Sequence, residues 1–413
     1  MVLILTVSVF TACASKTSGT AAETPQVEKK EPVEIVLWEQ EEPNNDPLYD
    51  KLFADFMAKN PDIKVTRVHY TTDDLRSQFQ TTVLAGQGPD LVFGPDDNLG
   101  VFNAMNLIQP LDSLLSSDFL SQLDENSLLD CKISGKLLGM PDRQGNNIML
   151  VYNKDMIPTP PETVDEMIEV AKKFTDVKAG KYGLVFQAYE PFFLAWVGNG
   201  MGGKVFDDQY KPTLNTPAFV EEFKFLYDIF NTSKVIPKDC NYDVASNLFK
   251  EGKAPMIING PWSWGEYEKA GIKIGLAQLP KLSNGQYGSA YTSTKAYSLN
   301  KNVSDPAKLE AIKKVLEFMG TKEFQLEFTK ASGWLPTNKE GLNDPIVTND
   351  PKFKDAMEGM KVGTPMPIVP EMRAIWDAMK LVIPDIMSGK LTPEKAAEKA
   401  QIEAEKNIAN FNK

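Results

Sequence analysis

The sequence predicts an α/β protein made of two lobes, each a mostly parallel sheet flanked by helices, with a cleft between them. Three observations support this prediction. The 413 residues exceed what a single hydrophobic core usually supports, so two domains are expected. Strand and helix patterns alternate from residue 33 to residue 93, and a second alternating series begins near residue 148. Alternation of this kind is typical of parallel sheets.

The first series contains three predicted strands, at 33–38, 63–70 and 91–93, separated by amphipathic helices. Two polar loops, 39–46 and 94–98, follow the first and third strands. Ligands in open α/β sheets bind beyond the carboxyl ends of strands. Both loops are therefore expected to border one crevice.

The second series and the rest of the chain continue this pattern. The predicted elements are a strand at 148–152, a helix at 164–174, a strand at 182–187, helices near 192–200 and 217–231, a strand and a helix within 254–271, a strand at 296–299, and helices at 306–319, at 371–387 and from 393 onward. Pro384 is expected to kink or end its helix, and Thr392 to cap the last one.

The stretch 259–264 combines a strand exit, a helix start and two tryptophans. Pro261 suits the first position of a helix, and Gly271 marks its end. Trp262 and Trp264 are two residues apart, so at ~100° per residue they point to roughly opposite sides of that helix. We expect one to face the cleft and the other the core. The alternative is that both belong to the core, because Trp is highly buried on average.

The net charge of -12 argues against nucleic acid or an anionic membrane surface as the main partner. His69 is the only histidine in the sequence, and it falls in the alternating run 63–70, where a strand residue without a chemical role is expected. Most metal sites and most Ser/His or Cys/His nucleophile schemes are thereby excluded. We predict no metal, no cofactor and no catalytic residue.

The three cysteines, Cys13, Cys131 and Cys240, do not describe a disulfide framework. Cys13 follows a short apolar segment, 2–10, and the arrangement resembles a bacterial lipoprotein signal whose cysteine is lipidated. No Lys or Arg precedes the segment, so the true start of the protein is expected upstream. Residues 14–33 are predicted to be a flexible tether. A cleaved secretory peptide without lipid is the alternative.

Several separate segments offer the contacts that an oligosaccharide needs, namely flat aromatic rings for its C–H faces and carboxylates or amides for its hydroxyls. The candidates are Trp262, Glu39, Glu42, Asp96, Asp97, Asn98, Tyr189, Glu190, Phe192, Trp376 and Lys380. Trp376 and Lys380 are four residues apart and share a helix face. Each candidate also has a plain alternative, because acidic loops are usually solvated and helix aromatics are usually core residues.

From about residue 34 to its end the chain resembles the extracellular solute-binding proteins of sugar ABC importers, and most of all their maltose- and maltodextrin-binding branch. The matching runs are GQGPD at 86–90, VYNKD at 151–155, NGPWSW at 259–264 and IVPEM at 368–372, followed by Trp376. The resemblance implies a periplasmic-binding-protein fold with discontinuous lobes that close on a hinge. It also implies an extracytoplasmic monomer that passes an oligosaccharide to permease subunits.

The resemblance carries roles over to individual residues. It implies that Trp262 and Trp376 stack on glucose rings and that Phe192 stacks where the family often has tyrosine. With Trp262 facing the ligand, the two-residue offset turns Trp264 toward the core. Glu190, Asp97 and Glu42 match acids that bind sugar hydroxyls. Glu39 and Asn146 complete the predicted set. Gly94, Asn98 and Lys380 replace a tryptophan and two arginines of enteric members, which leaves the sugar, its linkage and its length open.

The two lobes are predicted to be discontinuous in sequence. One comprises 34–144 and 291–333, and the other 147–288 and 340–413. The predicted ligand is a maltodextrin, with manno-, xylo- or other gluco-oligosaccharides as alternatives. A glycoside hydrolase using Asp97, Glu190 and Glu42 is the alternative from another class. A sensor or adhesin with the same fold is a third.

Overall fold

The computed structural model describes residues 31–411, so the predicted signal, Cys13 and most of the tether lie outside the described residues. The strands in this part of the chain are β1 Val33–Glu39, β2 Ile63–His69, β3 Leu91–Pro95, β4 Ile108–Gln109, β5 Lys132–Ile133, β6 Lys136–Leu137, β7 Met140–Gln144, β8 Met149–Asn153, β9 Met256–Asn259, β10 Ile274–Ala277, β11 Tyr291–Thr292, β12 Thr294–Asn300, β13 Leu335–Pro336 and β14 Thr364–Pro365.

The α-helices are α1 Asp46–Lys59, α2 Thr72–Leu84, α3 Asp97–Ala104, α4 Ser117–Leu120, α5 Glu125–Asp130, α6 Val164–Phe174, α7 Ala195–Gly200, α8 Pro217–Tyr227, α9 Tyr242–Lys250, α10 Pro261–Lys269, α11 Pro306–Met319, α12 Lys322–Ser332, α13 Lys339–Leu342, α14 Pro345–Thr348, α15 Pro351–Lys361, α16 Met372–Met387 and α17 Pro393–Phe411. Short 3-10 turns lie at Pro43–Asn45, Val177–Ala179 and Pro191–Phe193, and a π-helical turn at Asp228–Thr232. No helix within residues 31–411 combines the length and the apolar character needed to cross a membrane.

Buried apolar side chains form two large cores, and the chain passes between them more than once. The first core draws on residues 35–140 and 296–328, and the second on residues 148–291 and 356–404. This gives the two-lobed α/β architecture that the sequence predicts. The residue boundaries predicted for the two lobes stay a prediction.

The first core contains a mixed seven-stranded sheet. The strand order is β13-β7-β12-β3-β1-β2, and β4 pairs with β12. β1 runs parallel to both β2 and β3, as the alternating pattern predicts. β12 enters from far along the chain and runs antiparallel to β3 and β7. The sheet is therefore parallel only among β1, β2 and β3, the three strands of the first predicted series.

The sheet of the second core differs from the predicted mostly parallel arrangement. Its strand order is β10-β8-β9, and both pairings are antiparallel. The segment 182–187, predicted as a strand, makes only one parallel bridge, between Val185 and Ile257. Its backbone N–H groups donate to carbonyls of separate segments, those of Lys253, Val235 and Met256. No ladder forms, because those donors never meet one neighbouring strand in register.

The helices follow the predicted start and stop signals closely. α10 begins at Pro261 and is followed by Gly271 with a positive φ of 86°. α17 begins after Thr392, whose hydroxyl accepts from the backbone of Lys395 at 3.4 Å. Pro384 does not end α16 at once, because the helix continues to Met387. Pro384 removes a single internal hydrogen bond, the one that its N–H would donate to the carbonyl of Lys380, so the other bonds of the last turn can still form.

Candidate functional site

A cavity of about 610 Å³ lies between the two cores. The first core contributes the chain just after β1 and β2 and the start of α3, and the second contributes the segment 187–193 together with α9, α10 and α16. The lining residues are Gln40, Glu41, Glu42, Pro43, His69, Tyr70, Thr71, Thr72, Asp73, Arg76, Pro95, Asp97, Asn146, Gln187, Glu190, Phe192, Phe193, Tyr242, Asp243, Trp262, Lys295, Met366, Arg373, Trp376 and Lys380.

Most of the predicted ligand-binding residues meet in this cavity although they are far apart in sequence. Those that line it are Glu42, Asp97, Asn146, Glu190, Phe192, Trp262, Trp376 and Lys380. Their contact with a ligand stays a prediction. Loops that follow different strands converge at one cleft, as expected when the strands end at one edge of a sheet.

Glu39 and Asn98 were predicted to face the ligand but do not line the cavity, because the Glu39 carboxylate and the Asn98 Oδ1 are directed to other side chains of the first lobe. Glu39 is buried, with its carboxylate 3.1 Å from Arg67 Nη1 and 3.6 Å from His69 Nδ1. Asn98 is buried in α3, and its Oδ1 accepts a 2.6 Å hydrogen bond from Arg76 Nε.

α10 directs its two tryptophans to opposite sides, as the spacing predicts. Trp262 lines the cavity and is partly exposed, whereas Trp264 is fully buried. The Trp262 ring has its centroid 6.4 Å from that of Phe192 and 5.9 Å from that of Trp334. Trp264 packs instead on Gly333, whose added Cβ would lie 2.8 Å from its ring. The exposed ring is held among other rings and faces the cleft.

Trp376 supplies a second aromatic wall from α16. Its ring meets Tyr291 edge to face, with centroids 5.8 Å apart and ring planes at 88°. Tyr291 is itself fully buried in β11, where the chain returns toward the first core. Such edge-to-face pairs add about 0.5–1.5 kcal/mol beyond area burial, so the Trp376 ring is fixed in orientation.

Carboxylates neutralise the cationic side chains of the α16 wall. Lys380 Nζ lies 2.7 Å from Glu190 and 3.1 Å from Asp73. Asp73 also lies 3.1 Å from Arg76 and 3.4 Å from Arg373. Burial raises the pKa of the Glu190 carboxyl, and Lys380 opposes that rise. This wall offers donors and acceptors without a large net charge.

A second ion-pair network lies beneath the opposite wall. Glu41 lies 2.7 Å from Arg143 Nη1 and 3.2 Å from Lys295 Nζ. Burial would raise the pKa of Glu41, but Arg143 and Lys295 outweigh burial and lower it to about 2. Lys295 Nζ lies 4.8 Å from the ring centroid of Trp334, next to Trp262. The sequence marks Glu41 only as part of an acidic loop, since its partners come from distant strands.

Asp97 and Glu42 carry acceptor oxygens that can receive hydrogen bonds. Burial raises the pKa of Asp97, while Arg76 and Trp376 oppose the rise. Asp97 Oδ1 has no hydrogen-bond partner within the described part of the chain. Glu42 Oε1 accepts a long hydrogen bond of 3.4 Å from the Tyr242 hydroxyl. Burial raises the pKa of the Glu42 carboxyl. Unpaired buried acceptors favour a ligand that brings hydroxyl donors.

Sequence reasoning missed the lining residues Tyr70 to Asp73, which directly follow β2, although the strand-end rule would have found them. Gln40 and Glu41 lie in the loop 39–46 that the rule predicts at the crevice, but neither was singled out as a ligand-binding residue. His69 is a strand residue as expected, but it also lines the cavity. Lys295 and Met366 carry no such signal, because only long-range packing brings them there.

The cavity combines aromatic rings, acceptor oxygens and neutralised cations. This chemistry suits an uncharged molecule with apolar faces and a rim of hydroxyls. Within residues 31–411, no group of three or more His, Cys, Asp or Glu side chains is arranged to hold a metal ion.

The chain is similar to known proteins both in sequence and in structure. The family model described as bacterial extracellular solute-binding protein matches residues 51–355. A maltotriose-binding protein of Pyrococcus abyssi is 29% identical over 86% of this chain and 77% of its own length. A galactooligosaccharide-binding protein of Bacillus subtilis is 28% identical over 95% of both chains. The maltose/maltodextrin-binding domain MalE from Bdellovibrio bacteriovorus, solved bound to maltotriose, superposes with a TM-score of 0.87 at 39% identity, covering 91% of this chain and all of that one.

Proposed function

Because this chain belongs to the bacterial extracellular solute-binding proteins, we propose that it captures an oligosaccharide, most favourably a maltodextrin such as maltotriose, for an ABC importer. The cavity walled by Trp262 and Trp376 carries this proposal. Two aromatic walls suit the C–H faces of successive glucose rings. The relatives that bind maltotriose support the choice of α-linked glucose units.

The proposal assigns roles to the lining residues. Trp262, with Phe192 beside it, stacks on one sugar ring, and Trp376 stacks on another. Glu190, Asp97 and Glu42 accept hydrogen bonds from sugar hydroxyls. Lys380 and Asn146 donate to sugar oxygens. Closure of the two lobes over the ligand is a hinge motion that contacts from both lobes favour.

A galactooligosaccharide is the second candidate ligand, because a relative with that printed specificity matches nearly the whole chain. A thermal-shift series with maltotriose, galactotriose, mannotriose and xylotriose separates the candidates. A ligand at 100 times its Kd should add about 2.7 kcal/mol of stability. We expect the largest shift with maltotriose. A shift with galactotriose alone would reassign the ligand, and shifts confined to β-linked sugars would refute the maltodextrin assignment.

We propose that the protein binds its sugar without cleaving it. The carboxylates of the cavity have partners suited to binding: Glu190 is paired with Lys380, and Glu41 with Arg143 and Lys295. Incubation with maltooligosaccharides, followed by measurement of reducing ends, should show no turnover. Steady release of reducing ends would favour the hydrolase alternative.

We propose further that the protein is a monomer held outside the cytoplasm by lipid on Cys13, with lobes 34–144 plus 291–333 and 147–288 plus 340–413. The two buried cores support this division. Cys13→Ser should release the protein from the membrane and leave maltotriose affinity unchanged, because the lining residues described in the structure begin only at Gln40. Membrane retention of the Cys13→Ser variant would contradict the anchor.

A further inference from the structure

Gly100 in α3 lies directly against the backbone of the segment that precedes α16. A Cβ built on Gly100 would lie 2.2 Å from the carbonyl oxygen of Ile368 and 2.8 Å from the carbonyl carbon of Val369. Ordinary van der Waals contact begins near 3.4 Å. Any side chain at position 100 would therefore push α3 and this segment apart by about 1 Å.

This contact joins the two lobes. Leu99 and Phe102, on either side of Gly100, are buried in the first core. Met366 and Met372, on either side of Ile368, are buried in the second core. The atoms in contact are backbone on the Ile368 side, so no change of rotamer can relieve a clash. Only a change in the distance between the lobes can do so.

The contact also lies beside the cavity. α3 begins at Asp97, three residues before Gly100, and Trp376 follows in the first turns of α16. Both side chains line the cavity, and Trp376 opposes the rise that burial causes in the pKa of the Asp97 carboxyl. The spacing between α3 and the Ile368 segment thus sets the spacing between one acceptor and one aromatic wall.

We propose that Gly100 is a positioning residue for ligand capture. Its missing side chain lets the lobes approach until Asp97 and Trp376 act on the same ligand. This inference rests on the proposed function, and it adds a residue that does not line the cavity. Gly100 acts by its size, since its φ is not in the positive range.

The test compares Gly100→Ala with Gly359→Ala. Gly359 lies within α15, where an added Cβ would meet the methyl of Met149 at 3.2 Å, a flexible side chain that can move. Ligand-free melting should be similar in both variants, because alanine favours helix and lobes that no ligand holds together can move apart around the added methyl of Gly100→Ala. We expect Gly100→Ala to weaken maltotriose binding at least tenfold, mainly through faster dissociation. Gly359→Ala should bind like the wild type.

Two further measurements separate positioning from general damage. At saturating maltotriose, small-angle scattering should give a larger radius of gyration for Gly100→Ala than for the wild type. In a Trp376→Ala background, Gly100→Ala should cause a much smaller loss, because the wall it positions is already gone. Wild-type affinity and compaction, fully additive losses, or a ligand-free melt clearly below that of Gly359→Ala would each overturn the proposal. A wild-type chain that binds none of the trisaccharides would instead refute the proposed function.

Discussion

The two tryptophans of α10 should separate binding from stability when each is changed to alanine. Trp262 lines the cavity and is partly exposed, so Trp262→Ala removes a stacking partner from the ligand. Loss of a stacking aromatic costs about 1–3 kcal/mol by analogy with base stacking, or roughly 5- to 150-fold in Kd. Neighbouring rings such as Phe192 and Trp334 remain to close around the gap. The ligand-free melting temperature should therefore change little.

Trp264→Ala should have the opposite effect. The side chain is fully buried against Gly333, so its loss opens a cavity in the core. Loss of a buried tryptophan costs about 3–5 kcal/mol of unfolding free energy through lost transfer and cavity terms. The melting temperature should fall by at least roughly 5 °C, with little change in affinity.

Trp196→Ala provides a matched control for this pair of variants. Trp196 is also fully buried, but it packs against Phe225 and does not line the cavity. Trp196→Ala should lower the melting temperature as Trp264→Ala does and leave maltotriose affinity unchanged. Calorimetric titration with maltotriose and melting curves on all three variants decide the matter. If Trp264→Ala abolishes binding in a protein of unaltered stability, the assigned orientation of α10 is wrong.

Two further predictions concern buried acids. Burial raises the pKa of Glu222 from 4.5 to about 8, so the folded state keeps its proton while the unfolded state ionises. Stability should therefore fall by a few kcal/mol as the pH rises from about 4.5 to about 8, and melting curves of Glu222→Gln should lack this dependence. Glu41→Gln should lower the free energy of unfolding by about 3–5 kcal/mol in denaturant titrations, because Arg143 and Lys295 lose their shared carboxylate. Glu34→Gln, which breaks only the exposed pair with Lys64, should have almost no effect, and an equal loss in both variants would contradict this reasoning.

Local signals in the sequence predict much of this fold. The helix start at Pro261, the strand 91–93 and the helices 164–174 and 306–319 appear where the patterns indicate. These signals are short-range, since capping, helix periodicity and strand alternation depend on neighbouring residues. The antiparallel sheet of the second core was not predicted, because pairing depends on the path of the chain between strands.

The site likewise has one part that local signals predict and another part that depends on long-range packing. The two tryptophan walls and several acids were predicted from motifs and family resemblance, and the structure brings them to one cavity. Motifs do not reveal that the Glu39 carboxylate is paired with Arg67 or that the Asn98 Oδ1 accepts a hydrogen bond from Arg76. They also miss Lys295, which arrives on β12. Residues that contact each other across hundreds of positions, such as Lys295 and Glu41, produce no periodic pattern in the sequence.

The position of β12 has a consequence for how the protein is made. β3 and β7 are both synthesised before residue 145, but the strand that joins them comes only at Thr294–Asn300. Until then the nascent first lobe has two open sheet edges and no means of closing its core. Such distant pairing slows folding. The first lobe therefore cannot complete its sheet until residue 300 of the 413 has been synthesised.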